Sequence, residues 1–153
     1  MQGAGEPETV SAAGGPVSRP VVSVVILTLN AGREFEELLR RVSGQRGEFE
    51  VEMVVVDSGS TDGTVELARR YGATVHRIRK EEFNHGATRN LGISLSSGEY
   101  VALLVQDALP LDESWLAAMV ENLERDERVA PRRSQCCALG ISKERTCMRV
   151  FSI

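Results

Sequence analysis

The chain lacks most of the features that mark whole classes of protein. It has only 3 cysteines, Cys136, Cys137 and Cys147, all near its end. An odd number without a Cys-x-x-Cys pair supports neither a disulfide framework nor a zinc site, so a reducing, cytoplasmic compartment fits best. No apolar run approaches the roughly 20 residues needed to span a bilayer, and the N-terminus lacks the charged-then-apolar pattern of a secretory signal. Basic charge is not massed: 18 Lys and Arg against 22 Asp and Glu give a net charge of −4. That balance leaves no electrostatic footprint for nucleic acid. It does not exclude a small anion, because one or two placed arginines or a metal ion decide such binding locally.

What is present is one domain's worth of chain, 153 residues, enough for a single packed core. Residues 1–19 are rich in Gly, Pro, Ala and Ser, with Val10 and Val17 as the apolar anchors. Such a segment cannot repay its ordering entropy and reads as a disordered leader. Over residues 20–130 a regular alternation takes over. Val21 to Leu27 is β-branched and apolar on both faces, as a strand covered by helices on both sides must be. Phe35, Leu38, Leu39 and Val42 recur at helical spacing. Val51 to Val56 reads as a second buried strand, with Ser60 or Thr61 as the N-cap of a helix that runs to Tyr71 and stops at Gly72. Thr74 to Ile78 is a third, shorter strand, Ala87 to Ser96 a helix, and Tyr100 to Val105 a fourth strand. Leu116, Met119, Val120 and Leu123 form one face of a last helix.

Strands alternating with helices through short connections predict an α/β fold with a doubly wound, mostly parallel sheet. Ligands of such a sheet bind where the carboxyl ends of the strands meet solvent. That rule points to Thr28-Leu29-Asn30, Asp57 and Asp107. After Val129 periodicity is lost and no strand is evident. Residues 131–153 concentrate Arg132, Arg133, Lys143, Arg145 and Arg149 against Glu144 alone, and hold every cysteine. This tail reads as foreign to the domain, either a frame error or alternative end replacing the native continuation, or a genuine basic tail.

Three clusters carry chemistry. The first, Val55-Val56-Asp57-Ser58-Gly59-Ser60-Thr61-Asp62-Gly63-Thr64, is a buried strand ending in a carboxylate and a turn of small residues. Ionised Asp57 can accept hydrogen bonds from a base or a ribose; the same residues equally organise a turn and cap a helix. The second is Phe83-Asn84-His85-Gly86-Ala87-Thr88-Arg89-Asn90-Leu91-Gly92. There, free N–H groups at a helix start and the Arg89 guanidinium suit a pyrophosphate. His85 has no nucleophile near it in sequence and receives no acid–base role. The third, Leu103-Leu104-Val105-Gln106-Asp107-Ala108-Leu109-Pro110, again ends a strand in a carboxylate. Mg²⁺ or Mn²⁺ takes one or two carboxylates plus phosphate oxygens, which makes Asp107 the metal-ligand candidate, with a turn or helix-capping Asp as the alternative. An NAD site would need Gly-x-Gly-x-x-Gly after the first strand; Thr28-Leu29-Asn30-Ala31-Gly32-Arg33 stands there instead.

In this order, Val-Ser-Val-Val-Ile-Leu-Thr-Leu-Asn from Val22, the Asp57 cluster, and Gly-Ala-Thr-Arg-Asn-Leu-Gly-Ile before Gly-Glu-Tyr-Val-Ala resemble the family-2 glycosyltransferases of GT-A fold. Phe83-Asn84-His85-Gly86 and Gln106-Asp107-Ala108 look like the bacterial rhamnosyltransferase branch. The resemblance covers roughly residues 21 to 130 and implies the N-terminal, donor-binding half of a truncated GT-A sheet. It implies transfer of a sugar, rhamnose from a dTDP donor, to a glycan or lipid-linked acceptor with inversion, in cell-surface polysaccharide synthesis. It allows peripheral contact with the inner face of the plasma membrane. Thr28, Asn30, Asp57 and Ser60 would border the nucleotide, Arg89 would contact base or diphosphate, and Asp107 would hold a divalent metal. The family's usual Asp-x-Asp is Val105-Gln106-Asp107 here, so the first acid is missing. The general base is expected from the half that comes after the fourth strand, where Glu144 is the only acid after Val129. The chain as given is therefore expected to transfer sugar poorly, and a nucleotide-sugar-binding module without catalysis is the competing reading.

Overall fold

In the computed structural model the described residues are 19–125 and 149–152; most of the expected leader and of the basic tail lies outside them. The elements run β1 (Val21–Thr28), α1 (Glu34–Ser43), β2 (Glu50–Asp57), α2 (Thr64–Arg70) and β3 (Thr74–Arg77). A 3₁₀ turn at Lys80–Glu82 comes next, then α3 (His85–Leu95), β4 (Tyr100–Val105), α4 (Trp115–Arg125) and β5 (Arg149–Ser152). The sheet order is β3-β2-β1-β4-β5, and every adjacent pair is parallel.

β1 is central, and its apolar residues alternate between two cores. Val22, Val24 and Ile26 join Phe35, Leu38, Leu39 and Val42 of α1, Ala68 of α2, and Leu116, Val120 and Leu123 of α4. Val25 and Leu27 face the other way, with Val54, Val56, Val101, Leu103 and Ile93 of α3. Each such side chain, buried completely, stabilises the fold by roughly 1.5–3 kcal/mol. The period-2 split of β1 thus dictates the two helical layers. On the second layer α3 lies close to the sheet at Gly92, where an added Cβ would sit 2.3 Å from Val25 Cγ1.

At the amino ends of the strands a polar knot joins β1, β2 and the turn before β4. The Glu52 carboxylate accepts from the Ser23 hydroxyl, from Ser97 N at 2.8 Å and from Ser97 Oγ at 3.0 Å. Gly98 N donates to Ser23 Oγ at 2.9 Å. The carboxyl ends are left for the site.

The structure departs from the sequence reading in three places. α2 is capped by neither Ser60 nor Thr61: it starts at Thr64, after Gly63 at φ +89°, a left-handed conformation open to glycine. α3 starts at His85, two residues early, because the Asn84 side chain accepts from Gly86 N and Ala87 N. A strand does form beyond Val129, since Arg149–Ser152 pairs in parallel with Tyr100 to Leu103.

Candidate functional site

The register sets Thr28, the last residue of β1, directly beside Asp57, the last of β2. Around the Asp57 carboxylate, which is 0% exposed, the chain gathers its own donors. Oδ1 accepts from Thr28 Oγ1 at 3.0 Å and from the Ser60 hydroxyl; Oδ2 accepts from Gly59 N at 3.1 Å and Ser60 N at 3.0 Å. These fill the four lone-pair positions of a carboxylate. The Arg77 guanidinium, absent from the sequence reading, lies 3.7 Å from Oδ2 and donates to Ser60 O at 3.3 Å. Of the two roles left open for Asp57, the geometry displays the turn-organising one.

Hydrogen bonds stitch the loop after β1 to the loop after β2. Asn30 N donates to Ser60 Oγ at 2.8 Å, Ala31 N to Thr64 Oγ1 at 3.0 Å and Gly32 N to Asp62 Oδ2 at 3.0 Å, while Thr61 N donates to Asn30 Oδ1 at 2.9 Å. Asn30 itself has φ +47°, a conformation its short polar side chain tolerates. Hydrogen bonds from the Thr64 hydroxyl, 2.5 Å away, and from the Thr64 and Gly32 amides hold the Asp62 carboxyl below the usual Asp range. Ser60 is accordingly spent on both sides, donating to Asp57 and accepting from Asn30.

Beside this loop pair opens a cleft of about 310 Å³ over the carboxyl ends of β1 and β4. Leu27, Leu29, Phe83 and Val105 give it apolar walls; Thr28, Ser58, Gln106, Lys80 and His85 bring polar groups to it. The His85 ring meets Phe83 edge to face, with centroids 4.9 Å apart. Gln106 reaches back across the cleft mouth: its Oε1 accepts from Leu29 N at 2.8 Å and its Nε2 donates to Leu29 O at 3.4 Å. Of the residues expected at the site, Thr28 lines the cleft, and Asn30, Asp57 and Ser60 shape the loops next to it.

Arg89 is half-buried on α3, one turn beyond His85, and Asp107 is exposed immediately after Gln106. Among the described residues neither side chain has a hydrogen bond or ion pair within the chain, which leaves both charges open to a ligand. The N–H groups of Gly86 and Ala87 are not open: the Asn84 side-chain carbonyl occupies them at 3.1 Å each, so the helix start offers less to an anion than the sequence suggested. Among the described residues no group of three or more His, Cys, Asp or Glu could hold a metal ion. A single free carboxylate still suits a hard cation that takes its remaining ligands from phosphate and water. Sequence reasoning missed Lys80, Arg77 and the Gln106 bridge; the fixed position of Gln106 beside Asp107 was the available signal. Among the described residues no helix is long and apolar enough to cross a membrane.

The family model described as Glycosyl transferase family 2 matches residues 23–144, reaching past the boundary near 130 that the sequence reading drew. Glycosyltransferase AglE of Haloferax volcanii is 35% identical over 109 residues, covering 68% of this chain and 36% of its own length. The O-antigen chain rhamnosyltransferase RfbN of Salmonella typhimurium is 32% identical over 101 residues, covering 65% and 32%. Among solved structures, the mannosyltransferase PcManGT from Pyrobaculum calidifontis, in complex with GDP-Man and Mn²⁺, superposes with a TM-score of 0.63 at 32% identity over 75% of this chain and 35% of that one. The chain thus spans about a third of the length of the curated relatives it matches. With a parallel α/β sheet of GT-A type and a family match over most of its length, this chain belongs to glycosyl transferase family 2.

Proposed function

We propose that this chain binds the donor in a glycosyltransferase that moves a sugar, rhamnose in the first instance, from a nucleoside diphosphate, dTDP, to a glycan or lipid-linked acceptor with inversion, in building a cell-surface polysaccharide at the inner face of the plasma membrane. The observation that carries the reading is the free Asp107 carboxylate at the end of β4, beside an apolar cleft in a chain of this family. The rhamnosyl part draws support from the relative RfbN, and the metal from PcManGT, whose structure holds GDP-Man and Mn²⁺.

In this arrangement the cleft takes the nucleoside. Its walls at Leu27, Leu29, Phe83 and Val105 exclude water from the base, and Thr28 borders it. Asn30, Asp57 and Ser60 hold the two loops in shape. Arg89 contributes a permanent positive charge toward base or diphosphate. Asp107 would hold Mg²⁺ or Mn²⁺, which when bound offsets the charge that develops on the departing diphosphate. Inversion needs a carboxylate base within hydrogen-bond reach of the acceptor hydroxyl, and none of the residues above serves as one.

Calorimetric titration of the chain with dTDP and UDP, with and without Mn²⁺, tests the reading. The expected result is metal-dependent binding that Asp107→Ala abolishes. Absence of metal-dependent binding to either nucleotide would sink it. Hydrolysis or transfer of the donor sugar separates an enzyme from a binding module that performs no chemistry.

A further inference from the structure

Among the described residues the Asp107 carboxylate makes no hydrogen bond or ion pair that would fix it, so its place depends on the main chain on either side. On the near side β4 ends at Val105, Ala108 N closes a turn onto Val105 O at 3.1 Å, and Gln106 clasps Leu29. On the far side a loop, residues 108–114, runs to α4. Its own side chains do little to hold it. Pro110 is buried, but Leu109 is 46% and Leu111 83% exposed, and Asp112, Glu113 and Ser114 are exposed as well.

The loop is held from α1 and the residues just past it. Arg41 Nη1 donates to Pro110 O at 2.8 Å, Gln45 Nε2 to Asp112 O at 2.6 Å and Arg46 N to Glu113 O at 2.8 Å. Gln45 Oε1 in turn accepts from Leu116 N, near the start of α4, at 2.8 Å. Of the three carbonyls taken, that of Pro110 lies nearest Asp107 in the chain. Arg41 is itself braced, since its Nε donates to Glu37 Oε1 at 2.7 Å, one turn back on α1. A guanidinium serves both partners at once from separate nitrogens of one planar fork. A loop without this bracket would have to be ordered when a cation binds, and that ordering entropy would lower the affinity.

We propose that Arg41 is a positioning residue, whose bond to Pro110 O holds the Asp107 loop in the shape that takes up the divalent cation of a nucleoside diphosphate. The inference rests on the donor-site reading. It adds a residue outside the cleft on which the metal-dependent part of binding relies.

Titrating the full chain with dTDP and with UDP, in Mn²⁺ and in EDTA, gives the factor by which the metal tightens binding. Arg41→Met keeps the aliphatic stem and removes the donors. Its metal factor is expected to fall about tenfold, the cost of fixing the backbone of about one residue, while affinity in EDTA stays within about twofold of wild type. Arg41→Lys returns a donor and should recover part of the loss. Arg46→Met removes an exposed ion pair with Glu113 farther along the same loop and should leave the factor unchanged. A metal factor in Arg41→Met within about threefold of wild type overturns the proposal. So does an equal loss with and without metal, which would make Arg41 a contact of the nucleotide or a general support of the fold, and so does an equal fall in Arg46→Met. Should Arg41→Met fail to fold, Arg41→Gln, whose shorter amide cannot span both partners, is judged by the same limits; failure of both to fold makes Arg41 structural and overturns the proposal too. A wild-type chain whose binding of both nucleotides is indifferent to metal strikes instead at the donor site itself.

Discussion

Two strands of this sheet lead into an aspartate, β2 at its last residue and β4 two residues beyond it, and the two carboxylates live in opposite worlds. Asp57 closes β2 with no exposed surface and four donors on its oxygens. Asp107, two residues past the end of β4, is exposed and has no partner among the described residues. The sequence around each reads alike, an apolar run and then an acid. The difference comes from the residues on the C-terminal side of each acid. After Asp57 the chain supplies a turn of Ser and Gly whose amides curl back onto the carboxylate, and β1 sets Thr28 beside it. After Asp107 come Ala108, Leu109 and Pro110, which bring no side-chain donor and, at Pro110, no amide. One carboxylate is an internal strut; the other is exposed and without a partner among the described residues.

Four experiments break or sharpen that contrast. The largest effect is expected from Asp57→Ala, which strands the Gly59 and Ser60 amides and two hydroxyls in a dry site; a loss of about 3–5 kcal/mol in urea unfolding is predicted. Thr28→Val keeps the shape and removes one donor, so about 1 kcal/mol should go. Acid should act more mildly, through Asp62. Its carboxyl titrates below the ordinary Asp range because the folded state donates to it. The stability it supplies is thus full above that ordinary range and disappears as pH falls through the lowered value. The stability difference between wild type and Asp62→Asn should accordingly vanish in acid and be constant near neutrality. Asp107→Ala should change stability by less than about 0.5 kcal/mol, and a larger loss would mean that Asp107 is structural after all.

The contrast also marks where sequence reasoning ran out. Strands β1, β2 and β4 were legible because a strand covered on both faces must be continuously apolar, and α1 because its buried residues keep helical spacing. β5 was not, since Arg149 and Ser152 break the apolar pattern of a four-residue strand whose partner lies far off in sequence. The N-cap of α2 was misplaced because Ser60 has the right chemistry for a cap, but its hydroxyl is engaged by Asp57 and Asn30. The rule that ligands gather at carboxyl ends singles out Thr28, Asp57 and Asp107, and the strands do set all three at or just past their carboxyl ends. What that rule cannot show is whether an acid's lone pairs are already taken. Nor could it show that Gln106 reaches Leu29, because the partners of a hydrogen bond across the sheet become visible once the strands are paired.

That bridge bears on how the molecule assembles. β1 and β2 can zip together around α1, a short loop to close. The bond between Leu29 and Gln106 joins positions 77 residues apart, and the entropy of closing a loop grows with its length. A chain emerging from the ribosome can therefore complete the Asp57 strut well before β4 exists to be docked. The cleft, walled on one side by Val105 and Gln106, then acquires its shape only after the pair of β1 and β2, and a nucleotide that fits it would bind the finished fold in preference to the half-built one.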